Sequence, residues 1–456
     1  MNRPSANSID QSDPGHRDPG DHVDRLTERY FEVRDDELYI GGVAVSELSR
    51  EFGTPVFVYD QSAILQRIEQ VQSMLPSRFS LFYSIKANPN AAILREVLQQ
   101  GCGLEVASGG ELFQALDAGC PPERLIFAGP GKTQIELAAA LQARIREIHV
   151  ESIDEIRCVN TLAESSGQVA TIALRINPVE ASGGAMRMGG RASPFGIDEE
   201  DLDDVLNEVA NLRHLRVAGV HLFMATQILD ADVLIEQYRS ALTISHEVAS
   251  RIPGSLETID FGGGWGTPYF AHESELDLEK VASGIAAVDK QMREDPLLAG
   301  AEGIIEPGRF LVNEAGLYLA KVTRVKTSRD KTFAITDGGM HHHLAASGNL
   351  GQTIKRNYPV AIVNKLGLLP KQKVNIVGPL CTPLDMLARQ VKLPHIEAGD
   401  LFGVFQSGAY ARTSSPHGFL SHNSPAEVMV MDGIARLIRR RGEPQDYLRD
   451  QCESAP

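Results

Sequence analysis

Phe82-Tyr83-Ser84-Ile85-Lys86-Ala87-Asn88-Pro89-Asn90 is an apolar run that ends on a lysine and is then broken by Ala-Asn-Pro. A lysine at the end of a buried strand is costly unless its charge is used or given up. Lys86 is therefore a candidate Schiff-base lysine for an aldehyde cofactor. The ordinary alternative is a strand-end lysine whose amine reaches water. Downstream, a short apolar strand followed by an amphipathic segment recurs. Strands are expected at residues 80–86, 103–107, 124–128, 147–151, 171–177, 217–223, 258–261 and 303–306. Helices are expected at 91–100, 110–118, 133–142, 153–165, 199–210, 232–250 and 278–293. Alternating strand and helix implies a parallel sheet, and eight such units predict an α/β fold, a closed (β/α)8 TIM barrel.

The polar residues fall where such a barrel would use them. Lys86, Ser108-Gly109-Gly110-Glu111, Arg175-Ile176-Asn177, His221 to Gln227, Gly262-Gly263-Gly264 and Glu306-Pro307-Gly308-Arg309 all end or follow a strand. Those ends share one face, on which active sites are built. Beyond Asn313 the texture changes to short β-branched and glycine-containing runs at 317–326, 332–336, 373–377, 400–405 and 427–432, which predict an all-β domain. A hairpin of 38–40 with 43–45 is expected to join it, so that the β domain draws on both chain ends. The expected division is a disordered polar leader over 1–27, an N-terminal segment of the β domain over 28–56, the barrel over 57–312 and the C-terminal β domain over 313–456.

Composition bounds the partners. The chain has 456 residues, 43% hydrophobic and 23% charged, with a net charge of −16, which excludes a non-specific nucleic-acid or anionic-membrane surface. Its five cysteines are odd in number, widely spaced and without a CxxC pair, which points to a reducing cytoplasm rather than a disulfide framework or zinc site. No apolar run is long enough to span a bilayer.

Four motifs carry chemistry with a plain alternative beside each. Asp260-Phe261-Gly262-Gly263-Gly264-Trp265-Gly266 can cradle a phosphate on backbone N–H groups, or is only a tight turn. Glu306 can face a pyridine nitrogen, or merely pair with Arg309. Cys381, in the turn Gly378-Pro379-Leu380-Cys381-Thr382, can transfer a proton, or is a small buried hydrophobe. Tyr410, in Ser407-Gly408-Ala409-Tyr410, offers a phenol or fills a core. Adjacent histidines point in different directions, so His341-His342-His343 is assigned no metal.

Together, Tyr83 to Asn88, Ala107 to Glu111, Asp260 to Gly264, Glu306 to Arg309, Gly378 to Cys381 and Gly408 to Tyr410 resemble the fold-type III pyridoxal-phosphate (PLP) decarboxylases of diaminopimelate, ornithine and arginine. The resemblance runs from about Tyr39 to Val430 and implies the alanine racemase/ornithine decarboxylase-like pairing of a PLP barrel with a β domain. It implies that Lys86 forms the Schiff base, that Gly262, Gly263, Gly264, Gly308, Arg309 and Tyr410 hold the phosphate, and that Glu306 meets the ring nitrogen. His221, Phe223 and Thr226 line the cofactor, Cys381 returns a proton to the substrate carbon, and Arg309, Thr382, Asn349 and Tyr410 face the substrate. It further implies a homodimer with shared sites, Cys381 and Tyr410 coming from the partner subunit.

Departures from the family bear on the substrate. Phe223 stands where diaminopimelate decarboxylases place a second histidine. Their Arg-Pro-x-x-Tyr clamp reads Ala345 and Asn349 here, and Thr382 replaces the acid that follows the cysteine in amine-recognising members. Diaminopimelate, ornithine and lysine are thus disfavoured. His341 to Asn349 and Gln352 to Pro359 resemble a subgroup with exosortase-linked decarboxylases and a butirosin-pathway enzyme that acts on a glutamyl group tethered to a carrier protein. A carrier-tethered substrate would explain a missing charged clamp. The competing readings are a diaminopimelate decarboxylase proper, a PLP racemase, which would carry a different run after Lys-Ala-Asn, and an inactive regulatory homologue, which would lack the lysine or the phosphate turn.

Overall fold

The computed structural model describes residues 20–179, 186–187, 192–352 and 354–452. Among these, eight parallel strands form a barrel: β1 (Phe79–Ser84), β2 (Gly103–Val106), β3 (Leu125–Phe127), β4 (Glu147–Val150), β5 (Ala170–Asn177), β6 (Leu215–His221), β7 (Thr258–Asp260) and β8 (Glu302–Ile305). They pair in chain order, and β8 pairs with β1, which closes the ring. Each lies within a residue or two of the strand expected from its apolar run. These runs are legible because strands of a parallel sheet covered by helices are buried on both faces. The helices begin on side-chain caps: Ser108, Thr133, Ser152, Asp230 and Asp277 each accept a backbone N–H in the first turn.

Lys86 departs from expectation in one detail. β1 stops at Ser84, and Lys86 rides on a short 3-10 turn, Ile85–Ala87. Pro89 holds Asn88 extended, with φ −159° and ψ 103°, so the turn cannot grow into a helix.

The β domain is a mixed sheet ordered Met386–Leu393, Gln372–Val377, Lys331–Thr336, Gly316–Ser328, Val56–Asp60, Ala426–Met431 and Ile434–Arg439, with Val360–Ile362 and Leu401–Val404 alongside. Val56–Asp60, which the sequence suggested would open the barrel, is a central strand of this sheet, antiparallel to Gly316–Ser328 and parallel to Ala426–Met431. Strand alternation makes the sheet a wall between two cores. Phe57, Tyr59, Tyr318 and Met429 point to the large core shared with the barrel. Val56, Val58, Leu317, Leu319, Val428 and Val430 point to a second core. Burying each such aliphatic side chain contributes about 1.5–3 kcal/mol.

That second core is capped by the N-terminal segment. Residues 1–19 of the expected leader lie outside the described residues, and the remainder belongs to the helix Gly20–Tyr30, which buries Val23 and Leu26 against the sheet. The expected hairpin forms a small sheet of its own, Glu32–Arg34, Glu37–Ile40 and Val43–Ala44, with Val45 starting the next helix. It meets the β domain through Leu38 N–H on the Val363 carbonyl at 2.9 Å and Gly433 N–H on the Gly41 carbonyl at 2.7 Å.

The two parts are bolted together beside Lys86. Asn88 Nδ2 donates to the Gly408 carbonyl at 3.1 Å, Tyr410 N–H to the Ala87 carbonyl at 2.9 Å, and Asn90 Nδ2 to Glu427 Oε2 at 3.0 Å. Tyr59 Oη donates to the same carboxylate at 2.9 Å.

The three histidines at 341–343 are buried in the β domain and diverge. The His341 ring lies tilted against His342, with centres 3.7 Å apart, and nears His422 at 4.8 Å, while His343 reaches Ser407 Oγ at 3.0 Å. Burial holds them at about 3, about 2 and about 3, against an ordinary 6.5. A depressed histidine folds neutral, so the unfolded chain takes up protons first as pH falls below about 6.5. Stability should therefore drop between pH 6.5 and 4, by about 1.4 kcal/mol per pH unit for each histidine. Neither nitrogen of His341 has a hydrogen-bond partner among the described residues, so His341→Leu should make the denaturation free energy less steep in pH by that increment. An unchanged slope would contradict this account.

Candidate active site

The strand ends surround a cavity of about 250 Å³ at the C-terminal face of the barrel. Of the residues singled out in the sequence, Lys86, His221, Phe223, Thr226, Gly263, Gly264, Glu306, Gly308, Arg309 and Tyr410 line it, and Gly262 adjoins them.

The amine of Lys86 lies 3.1 Å from Glu105 Oε2 and 3.3 Å from Oε1, and 5.9 Å from the centre of the Phe223 ring. Glu105 is 1% exposed and also accepts from Ser84 Oγ. Burial works against the Lys86 charge, but the Glu105 carboxylate, with Tyr410 and Glu306 behind it, raises its pKa overall. Glu105 is likewise opposed by burial yet held below its usual range by the Lys86 charge and the Ser84 hydrogen bond. The sequence reading did not single out Glu105. The available signal was a lone carboxylate in the otherwise apolar Gly-Leu-Glu-Val of β2.

The turn after β7 is built for close approach. Gly262 and Gly264 have φ of 67° and 85°, which favours glycine. A Cβ on Gly263 would sit 2.3 Å from the Glu306 carbonyl oxygen, so no other residue fits without moving β8. Beside this turn, Arg309 donates to Tyr269 Oη, and its guanidinium lies 4.6 Å from the Tyr410 ring centre. Its Nε is buried with no hydrogen-bond partner among the described residues. Glu306 and Arg309 form no ion pair. Glu306 instead lies inside the barrel with His221 Nε2 3.5 Å from its Oε2. Burial, then the charges of Asp260 and Glu105, push its pKa well above the carboxylate range.

Arg175 and Phe195 add to the lining. Arg175 is held by Glu151 at 2.6 Å and lies 5.3 Å from the Phe195 ring centre.

Three candidates stand elsewhere. Cys381 is exposed and, like Thr382 and Asn349, does not line the cavity of its own chain. Asn349 Nδ2 donates to the Leu384 carbonyl at 3.1 Å, which ties it to the Cys381 loop. Tyr410 is a correction: it was expected from a partner subunit, yet it lines its own chain's cavity, pinned there by its N–H on Ala87.

The residues suit the pyridoxal phosphate that the sequence resemblance implies. An amine stands on one wall, a glycine turn and an unsatisfied guanidinium Nε on another, and a buried carboxyl within the barrel. Glu105→Gln should lower the Lys86 pKa, leaving burial to dominate, and raise the free-amine fraction at pH 8 about tenfold per pKa unit. Acetylation of Lys86 in cofactor-free protein, followed by peptide mass spectrometry, measures this. A rate no faster than that of the unaltered chain would refute the role given to Glu105.

Comparison with known proteins agrees with this geometry. The family profile "Pyridoxal-dependent decarboxylase, pyridoxal binding domain" matches residues 61–313. The chain is 37% identical over 414 residues to the L-glutamyl-[BtrI acyl-carrier protein] decarboxylase of Niallia circulans, covering 90% of this chain and 96% of that protein. It is 32% identical over 421 residues to the diaminopimelate decarboxylase of Aquifex aeolicus, covering 92% and 96%. The crystal structure of the Methanocaldococcus jannaschii diaminopimelate decarboxylase with L-lysine superposes with a TM-score of 0.83 at 26% identity, covering 93% and 98%. A closed barrel presenting Lys86 to a glycine turn, with the profile match over more than half of the chain and a relative 37% identical across nearly its whole length, places the chain in the family of pyridoxal-dependent decarboxylases.

Proposed function

We propose that this decarboxylase holds pyridoxal phosphate on Lys86 and removes the α-carboxylate of an aminoacyl group whose far end is tethered to a carrier protein. The observation that carries the reading is the charge pattern around the site. The α-amino-acid end meets a complete set of groups in the cavity, while the distal positions offer only the neutral Thr382, where amine-recognising relatives carry an acid, and Ala345 and Asn349, where the charged clamp carries its arginine and tyrosine. The similarity to a decarboxylase named for a carrier-bound glutamyl substrate supports it.

When bound, pyridoxal phosphate supplies the electron sink that lets a carboxylate leave as CO2. The chain does the rest. Lys86 offers the amine that captures the aldehyde, and Glu105 holds that amine in place, and charged until the cofactor arrives, through its contact at 3.1 Å. The N–H groups of the Gly262–Gly264 turn and the Arg309 guanidinium bind the phosphate. Phe223 presents an apolar ring face that stacks without donating a hydrogen bond. Cys381 returns a proton to Cα. Its exposure outside its own cavity supports a homodimer with shared sites, in which it serves the cavity of a second copy. The five cysteines are unbridged, which suits a cytoplasmic enzyme. Among the described residues no helix is long and apolar enough to cross a membrane.

A second reading, decarboxylation of free diaminopimelate, is favoured by one contact: the Lys355 amine hydrogen-bonds Asn349 Oδ1 and could receive a distal carboxylate. Mass spectrometry separates the two. The expected outcome is loss of CO2 from a glutamyl thioester on a carrier protein and none from free glutamate or diaminopimelate. Efficient turnover of free diaminopimelate would overturn the tethered reading.

The shared site is tested by mixing inactive Lys86→Ala and Cys381→Ala chains. Random reassociation should restore activity to about one quarter of the unaltered level, because half the dimers are mixed and each has one intact site. No recovery on mixing would refute it.

A further inference from the structure

The cavity floor holds more ionisable groups than the reaction above uses. His149 on β4, His221 on β6, Asp260 at the end of β7 and Glu306 just past β8 converge inside the barrel, one nitrogen or oxygen of each lying within 4.8 Å of the others. All are buried, with His149 and Asp260 at 0% exposure, His221 at 2% and Glu306 at 6%. The rings of His149 and His221 are 4.7 Å apart. Asp260 Oδ1 accepts the N–H of Gly262 at 2.8 Å, which ties the group to the glycine turn. Asp260 Oδ2, Glu306 Oε1 and the nitrogens of both imidazoles have no hydrogen-bond partner among the described residues.

Such a cluster is expensive unless something satisfies it. Two carboxyls this close in a dry interior cannot both stay ionised, so the pair keeps a proton. Burial lifts Asp260 to about 6 and raises Glu306 well above the ordinary carboxylate range. The surrounding charges come from every side of the barrel: Lys86 after β1, Glu105 on β2, Lys132 after β3, Glu147 on β4 and Arg175 on β5. His149 Nε2 is 3.7 Å from Glu147 Oε2, which sets the imidazole between two acidic groups.

We propose that His149 and Asp260 are positioning residues that keep a shared proton on the Glu306 carboxyl and present it to the ring nitrogen of bound pyridoxal phosphate. One proton leaves the carboxyl pair and joins the ring nitrogen. The pair gains one negative charge and the ring one positive charge, so the net charge of the site is unchanged by the transfer. The orphaned atoms thereby acquire a purpose: they accept and donate as the proton moves. Asp260 also links this proton to the phosphate turn through Gly262, so one side chain serves both ends of the cofactor. The inference rests on the cofactor being held as proposed above.

The test compares pyridoxal phosphate with its deaza analogue, in which carbon replaces the ring nitrogen. Trp265 lines the cavity and is the chain's single tryptophan, so quenching of its emission reports occupancy by either compound. Asp260→Asn retains an acceptor for Gly262 but removes the acid, and His149→Asn removes the imidazole. Each should weaken pyridoxal phosphate binding about tenfold, the equivalent of one pKa unit at the proton, and leave the deaza analogue's affinity unchanged. A purely structural role would weaken both compounds alike, and that result, or no change in either, overturns the inference while leaving the cofactor reading intact. If the unaltered chain binds neither compound, both readings fall. Two imidazoles and two carboxylates also suit a zinc-like cation, so stoichiometric tightly bound metal lost in both variants would overturn the proton assignment.

Discussion

The contact between Lys86 and Glu105 governs the site. The Glu105 carboxylate is withdrawn from water, which costs several kcal/mol, whereas the Lys86 side chain stays 42% exposed; their attraction repays the cost only with good geometry and further hydrogen bonds. Ser84 on Glu105 supplies one such bond from the strand that leads to Lys86. Neighbouring strands β1 and β2 are thus locked by the same charges that prepare the amine. The barrel tolerates acids at Glu105, Glu147, Asp260 and Glu306 because cations and protons are distributed among them.

Around this polar interior the fold is ordinary, and that explains its legibility. Buried parallel strands read as apolar runs, and helix caps read as Ser, Thr or Asp before an amphipathic stretch. Residues at strand ends could be named as neighbours because a barrel collects all its strand ends on one face. The β domain was less legible. Val56–Asp60 is as apolar as a barrel strand, and nothing local says that its partners lie beyond residue 315. Met386–Leu393 and Ile434–Arg439 lie at the two edges of the sheet and mix polar and apolar residues without a strict period of two, and their burial is uneven.

Three site residues show where sequence reading stops. Glu105 is a single carboxylate whose meaning depends on Lys86 being across the cavity, which only pairing of β1 with β2 reveals. Tyr410 and Cys381 are separated by fewer than thirty residues, yet one lines its own chain's cavity and the other does not. Neither spacing nor residue type distinguishes them. The backbone bond from Tyr410 to Ala87 does.

The bolts between barrel and β domain at Asn88, Asn90 and Tyr410 bear on how such chains can diverge. The segment carrying Lys86 is held by Gly408 and Glu427, which lie more than three hundred residues later in the chain. A recombinant that took its barrel from one relative and its β domain from another would inherit the lysine without the surfaces that fix its backbone. The barrel and the sheet must therefore change together, which leaves loops outside these bolts, such as that bearing Cys381 and Thr382, free to vary on their own.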